Sequence, residues 1–152
     1  MLAREIMTQD IEVVTAQDKL QKAARIMRDS DIGFVPVVEG ADGQMRLTGV
    51  ITDRDIAIRH VAEGHGPDCR VEEAMSRKNI LTVRPDDNVD NLMQRMAQAQ
   101  VRRVPVTEDG RLVGVVSQAD LALDTDQLDE VGRTVGRISE RGPGQRQRQA
   151  QS

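Results

Sequence analysis

Apolar residues recur at helical spacing in two stretches of the chain, one in each half. They fall at i, i+3, i+4 and i+7, which places them on one face of an amphipathic helix. A short apolar run precedes each helix, and two apolar runs joined by a Gly/Asp turn follow it, as in a β-hairpin. With the second helix that follows, each half predicts the order β-α-β-β-α. The helical positions are Leu20, Ala23, Ala24 and Met27 in the first half and Val89, Leu92, Met93 and Met96 in the second.

The two halves are copies of one sequence pattern. Val-Pro-Val at residues 35–37 returns at 104–106, and the stretch 49–57 returns as 114–122. The copies differ in length at the hairpin tip, where a duplicated fold tolerates variation. A copy of about 60 residues is marginal as an independent domain. We therefore predict an α+β fold in which two β-α-β-β-α repeats pack sheet to sheet into one pseudo-two-fold module.

Composition narrows the function classes. The chain has 152 residues and a net charge of −4, whereas a non-specific nucleic-acid binder is usually basic. It has no apolar run long enough to span a membrane. Its single cysteine excludes an internal disulfide framework and fits a reducing cytoplasm. Phe34 is the one aromatic residue, so a bound base would have to lie between aliphatic side chains.

A hydroxyl and a carboxylate recur at the strand-to-helix junction of each copy, as Thr52 and Asp55 and as Ser117 and Asp120. A hydroxyl beside the free N–H groups of a helix start suits a phosphate. A carboxylate one turn further on can accept hydrogen bonds from both hydroxyls of a ribose. The same spacing also forms a helix-capping box. Both interpretations stay open, although the recurrence of the motif in register favours a ligand site.

The chain resembles the cystathionine-β-synthase (CBS) domain, present as a tandem pair or Bateman module, over roughly residues 1 to 124. The resemblance rests on Met7-Thr8 and Met75-Ser76, the stretches 31–37 and 101–106, and the two junctions. In length the chain is similar to small stand-alone bacterial CBS pairs of the hypoxic-response type. The resemblance implies an adenine nucleotide in clefts between paired repeats, frequent dimerisation and a sensor or regulatory role.

The resemblance also implies site residues, and it implies that the two sites differ. Arg102 has Gly33 as its counterpart in the first copy, and Arg54 has Ala119 in the second, so the basic groups are unequally shared. The implied ligand contacts are Asp55 and Asp120 for the ribose, Thr52, Ser117, Arg54 and Arg102 on the phosphate side, and Ile11, Val13, Ile80 and Thr82 for the adenine.

Four potential metal ligands, His60, His65, Asp68 and Cys69, lie close together in the sequence between the copies. Their spacing fits no tetrahedral zinc pattern. We therefore expect no metal and no cofactor other than a regulatory adenine nucleotide. The sequence has no Ser-His-Asp, Cys-His or P-loop constellation, so we also expect that the protein is not an enzyme.

The expected organisation is repeat 1 at residues 1–64, a linker at 65–70, repeat 2 at 71–124, an amphipathic helix at 125–140 and a disordered polar tail at 141–152. The expected function is that of a cytoplasmic homodimer that signals nucleotide occupancy to a protein partner. A scaffold with empty clefts is the main alternative. Nucleic-acid binding through the arginines of the tail together with Arg102 and Arg103 is a weaker one.

Overall fold

The computed structural model describes residues 1–41 and 44–123. The predicted helix at 125–140 and the predicted polar tail at 141–152 lie outside the described residues. Within the described ranges, no helix has the length and apolar character needed to cross a membrane.

Helices and strands alternate in the same order in both copies, which confirms the mixed α and β class. The helices are α1 (Ala3–Ile6), α2 (Leu20–Ser30), α3 (Asp53–Asp55), which continues as a π-helical segment (Ile56–Val61), α4 (Leu92–Ala99) and α5 (Gln118–Leu123). The strands are β1 (Phe34–Glu39), β2 (Arg46–Thr52), β3 (Arg103–Glu108) and β4 (Arg111–Ser117). Two 3₁₀ turns lie at Val71–Glu73 and Val89–Asn91.

The two strands after α2 form the predicted hairpin. β1 pairs antiparallel with β2 from Phe34 opposite Thr52 to Glu39 opposite Arg46, with an irregularity between Val37 and Val38. Arg46 also pairs with Arg111, and the hydrogen-bonded strand order is β1-β2-β4-β3.

The predicted first strand of each copy is shorter than expected. It consists of a single parallel bridge, Val14 with Val37 in the first copy and Val83 with Val106 in the second. The Val14 N–H donates to the Pro36 carbonyl at 3.1 Å, and the Val38 N–H donates to the Val14 carbonyl at 2.8 Å. Proline has no N–H to extend the ladder, which is one reason that the pairing stays short.

The chain forms two compact units whose boundaries do not follow the copies. The first-copy unit contains Asp10–Ile80 and Asp109–Leu112. The second-copy unit contains Met1–Gln9, Leu81–Glu108 and, among the described residues, 113–123. The start of each copy therefore belongs to the unit built mainly from the other copy. Isolated antiparallel bridges hold these exchanged segments, one between Val50 and Ser76 and the other between Thr8 and Val115.

Each unit has its own apolar core, built from one amphipathic helix and the strands beneath it. The methionines on the predicted apolar helix faces, Met27, Met93 and Met96, are buried. The first-copy core includes Val14, Leu20, Ala23, Met27, Val35, Val37, Ile51, Val71, Ala74 and Met75. The second-copy core includes Ala3, Val83, Val89, Leu92, Met93, Met96, Val104, Val106, Val116 and Leu121.

Candidate functional site at the strand-to-helix junctions

Both junctions form reciprocal capping boxes. The Thr52 N–H donates to Asp55 Oδ2 at 3.1 Å, and the Asp55 N–H donates to Thr52 Oγ1 at 3.1 Å. In the second copy, the Ser117 N–H donates to Asp120 Oδ2 at 2.8 Å, and the Asp120 N–H donates to Ser117 Oγ at 3.2 Å. The capping interpretation is therefore correct for the local structure. A carboxylate has about four acceptor positions, so capping alone leaves room for a ligand.

A glycine precedes each junction, and the start of the other copy packs directly against it. A Cβ on Gly49 would clash with the Met75 methyl group and would stand 2.5 Å from the Ser76 carbonyl oxygen. A Cβ on Gly114 would stand 2.5 Å from Met7 Sδ. Both distances are too short for a real Cβ contact, so a side chain at either position would force a shift. The repeated glycine is explained by this packing and needs no ligand.

Two further groups contact the Asp55 carboxylate, and the sequence analysis identified neither. The Ser76 hydroxyl lies 3.4 Å from each carboxylate oxygen, and Arg59 Nε lies 3.7 Å from Oδ1. The Asp55 side chain is 12% exposed. The spacing of Asp55 and Arg59 by four residues is a recognisable helical ion-pair pattern. Ser76 is distant in sequence, and no local pattern could have identified it.

Asp120 has fewer partners than Asp55. Within the described residues, its carboxylate accepts a hydrogen bond from the Ser117 N–H and forms no ion pair. Arg102 lies next to this junction, because its carbonyl accepts a hydrogen bond from the Gln118 N–H at 3.0 Å. The Gln118 Nε2 atom is buried and has no hydrogen-bond partner in the described part of the chain. The structure thus places Arg102, Ser117, Gln118 and Asp120 at one junction.

The corresponding position in the first copy is acidic instead of basic. The Asp53 N–H donates to the Gly33 carbonyl at 3.0 Å, as the Gln118 N–H donates to Arg102. The Asp53 carboxylate lies over Gly33, where an added Cβ would be 2.9 to 3.0 Å from its atoms. A carboxylate therefore stands where the second copy begins the side chain of Arg102.

The remaining predicted site residues are divided between the units. Arg54 is exposed and lies in the first-copy unit with Ile11, Val13 and Ile80, which are half-buried. Thr82 is half-buried in the second-copy unit, and its carbonyl accepts a hydrogen bond from Arg95 Nη2 at 3.2 Å.

The two histidines are structural neighbours. His60 lies in the π-helical segment, is 2% exposed, and donates from Nε2 to the Gly66 carbonyl at 2.6 Å. Its ring stacks on that of His65 with 5.2 Å between the centroids. Partial desolvation and the nearby Glu73 carboxylate raise the pKa of the Cys69 thiol, which favours the protonated form. Among the described residues, no three His, Cys, Asp or Glu side chains are grouped so that they could hold a metal ion.

Sequence comparison identifies relatives of this arrangement. The CBS domain family model matches residues 3–60 and 71–123. The uncharacterized protein YlbB of Bacillus subtilis is 35% identical over 137 residues, which is 90% of this chain and 90% of YlbB. Hypoxic response protein 1 of Mycobacterium tuberculosis is 38% identical over 120 residues, covering 79% of this chain and 82% of that protein.

Solved structures of similar proteins agree with the fold. A crystal structure of Hypoxic Response Protein I with two coordinated zinc ions has a TM-score of 0.70 and 37% identity, and covers 81% of this chain and 98% of that one. The CBS domain pair of protein MJ0100, in complex with 5'-methylthioadenosine and S-adenosyl-L-methionine, has a TM-score of 0.68 and 28% identity, with coverage of 81% and 98%.

The zinc-containing relative corrects one expectation. We expected no metal cofactor, because the ligand spacing around His60 fitted no zinc pattern, and the zinc ions of Hypoxic Response Protein I contradict that expectation. Spacing within one segment is a weak guide, since a fold can assemble metal ligands from distant parts of a chain. Stand-alone CBS pairs are typically regulatory proteins and not enzymes. With the family model matched in both copies, this chain belongs to the CBS domain family as a tandem pair.

Proposed function

We propose that the chain is a regulatory module that binds an adenine nucleotide at the Ser117–Asp120 junction and signals its occupancy to a protein partner. The observation that carries this proposal is the environment of Asp120. Its carboxylate is fixed by the Ser117 N–H and, within the described residues, has no cationic partner. It therefore keeps acceptor capacity for the two hydroxyls of a ribose, and hydrogen bonds to a charged group contribute about 1.5–3 kcal/mol.

The groups beside Asp120 suit the phosphate end of the same ligand. Arg102 supplies a positive charge immediately before β3, and guanidinium groups bind phosphate through paired N–H donors. The Gln118 amide nitrogen is buried without a partner in the described structure. A buried donor without a partner costs about 1–3 kcal/mol, and a ligand oxygen would satisfy it.

The adenosyl ligands of the MJ0100 CBS pair support the ligand class. They contain the ribose and adenine that the site would recognise. For the adenine of this ligand we propose a contact with the half-buried Thr82, which lies in the same unit as Asp120. The other adenine contacts that the resemblance implies, Ile11, Val13 and Ile80, lie in the first-copy unit and are not assigned to this ligand.

Zinc is the metal that the structure of Hypoxic Response Protein I suggests for this family. The whole chain contains two histidines and one cysteine. One nitrogen of His60 is engaged by Gly66, and a histidine that binds a metal usually donates its other ring N–H to such a partner. No step of the proposed function is routed through a metal. Elemental analysis of the purified protein, and ligand titrations with and without a chelator, measure its metal content and any effect of that metal directly.

The cellular compartment, the oligomeric state and the protein partner are part of the same proposal. We propose that the protein acts in the cytoplasm, since a single cysteine suits a reducing compartment. We also propose that it forms a homodimer. The partner that responds to nucleotide occupancy would be a separate protein. Affinity capture with and without AMP in the buffer would identify a partner whose binding depends on the nucleotide.

A thermal-shift experiment separates this function from its two rivals. Full-length protein is heated with AMP, with ATP, with a single-stranded oligonucleotide, or alone. A nucleotide at 100 times its dissociation constant should stabilise the protein by about 2.7 kcal/mol. Stabilisation by AMP or ATP supports the proposal. No shift with any ligand favours the scaffold, and a shift with the oligonucleotide alone favours nucleic-acid binding.

A further inference from the structure

The Asp55 carboxylate is occupied by groups of the protein itself. Oδ2 accepts from the Thr52 N–H at 3.1 Å, and the Ser76 hydroxyl lies 3.4 Å from both oxygens. Arg59 Nε adds an ion pair 3.7 Å from Oδ1. A carboxylate has about four acceptor positions. Three protein donors therefore compete with a ribose for this group, and its charge is already compensated.

Among the described residues, the Asp120 carboxylate has no counterparts of these two additional partners. The residue equivalent to Ser76 is Thr8, which forms the same kind of backbone bridge, to Val115. Within residues 1–41 and 44–123, no hydrogen bond joins the Thr8 hydroxyl to Asp120, which accepts from the Ser117 N–H. The residue four positions after Asp120 is Asp124, where the first copy has Arg59. An acid at that position cannot form the corresponding ion pair.

The residues on the phosphate side also differ between the two junctions, and again they favour a ligand at the second. In the second copy it presents Arg102 and the neutral Gln118. In the first copy the equivalent residues are Gly33 and Asp53, and the Asp53 carboxylate lies over the glycine at 2.9 to 3.0 Å from a Cβ position. Because like charges repel, a phosphate is favoured at the second junction and disfavoured at the first.

We infer that the first-copy junction is closed to nucleotides by the protein's own Arg59, Ser76 and Asp53, so that each chain binds one adenine nucleotide, at the second-copy junction. This inference rests on the proposed function and adds the stoichiometry and the residues that determine it. The duplicated motif has two roles. In the second copy it binds a ligand, and in the first it binds the start of the other repeat through Ser76.

Isothermal titration of AMP into the full-length protein tests the inference with a matched pair of variants, Asp120→Asn and Asp55→Asn. Asparagine keeps the side-chain size and one capping oxygen but removes the charge. Wild type should bind one AMP per chain, and Asp120→Asn should weaken binding by about tenfold to a hundredfold. Asp55→Asn should leave the stoichiometry at one and the dissociation constant within about twofold. Melting temperatures of both variants report whether each is folded.

A second set of variants transfers the chemistry of the second junction to the first. Gly33→Arg with Asp53→Gln recreates the Arg102 and Gln118 pair, and Arg59→Ala releases Asp55. The triple variant should bind two AMP per chain, while Arg102→Ala in the same background should weaken one of the two sites.

The outcomes distinguish the inference from the proposed function. Two equal AMP sites in wild type, or equal losses in the two asparagine variants, would overturn the inference and leave the function standing. A folded triple variant that still binds one AMP would overturn the assignment of the closure to these residues. A wild type that binds no AMP, ADP or ATP would overturn both the inference and the function.

Discussion

Gly49 lies against the backbone of Ser76, so closely that a Cβ on the glycine would stand 2.5 Å from the Ser76 carbonyl oxygen. Ser76 and Val50 also exchange two backbone hydrogen bonds, of 3.0 and 2.8 Å. The start of the second copy is thus fixed to the strand of the first, and the contact places the Ser76 hydroxyl next to Asp55. One backbone contact determines both the exchange of segments and the environment of the first carboxylate.

The first prediction concerns this contact. Gly49→Ala should destabilise the protein by about 1–3 kcal/mol, because the backbone of Ser76 must move to accommodate the methyl group. Gly114→Ala should cost less, because its nearest neighbour is the flexible Met7 side chain. Gly66→Ala is the control, since a Cβ there has nothing within 4 Å. Urea unfolding measures all three, and equal stability of the Gly49 and Gly66 variants would contradict the packing.

The second prediction concerns the phosphate side. Arg102→Ala should weaken ATP binding by more than adenosine binding, because adenosine has no phosphate for the guanidinium to contact. Binding of ATP should also weaken as salt is added, since partly exposed charge pairs are screened. Calorimetric titration of both ligands against both proteins measures the difference. An equal loss for the two ligands would remove Arg102 from the phosphate site.

The third prediction concerns self-association. Ile58 and Val61 are 45% and 63% exposed and lie three residues apart on the π-helical segment. We expect light scattering at micromolar concentration to give twice the chain mass of 16.8 kDa. The double substitution Ile58→Lys and Val61→Lys should lower the mass towards that of one chain, while the exposed-site control Glu63→Lys should not. A monomeric wild type would contradict the homodimer.

The fourth prediction concerns acid stability. Burial alone would raise the pKa of the Asp18 carboxyl, but the hydrogen bond from the Thr15 N–H and the ion pair with Lys22 outweigh it and lower that pKa. A lowered pKa gives stability that is present above the unfolded value of about 3.9 and is lost as pH falls through the folded value.

Asp18→Asn should therefore destabilise the protein at pH 7 by about 0.5–1.5 kcal/mol, the net contribution of a typical hydrogen bond, and the difference from wild type should shrink near pH 3. Asp29→Asn is the control and should leave stability almost unchanged at both pH values, because its pair with Arg28 is on the surface, where water screens the attraction. Urea unfolding at both pH values measures the differences. A cost of Asp18→Asn that is the same at pH 3 as at pH 7 would show that ionisation of Asp18 is not its source.

Local chemistry explains what the sequence could predict. The capping boxes at Thr52 and Ser117 depend on residues three apart, and the amphipathic helices depend on spacing of three and four. Thr15 and Asp18 have the same three-residue spacing, yet they do not start a helix. The Thr15 N–H does bond to Asp18 at 2.8 Å, but the helix begins at Leu20 with Lys19 at its N-cap. The carboxylate closes a turn just before the helix instead of capping it.

Contacts distant in sequence explain what could not be predicted. The approach of Ser76 to Asp55 depends on which unit receives the start of each copy, and the sequence pattern is the same whether the starts are exchanged or retained. The burial of His60 against Gly66 depends on the π-helical turn. The position of Asp53 over Gly33 follows from the hairpin register, and the sequence showed only that Gly33 was the counterpart of Arg102.

Titration of AMP into Asp120→Ala tests the central claim most directly. The account predicts a folded variant, since Ser117 still caps the helix, whose affinity for AMP is about tenfold to a hundredfold lower than that of wild type. Unchanged affinity in folded Asp120→Ala would contradict the account, and would leave Asp120 as a helix cap alone.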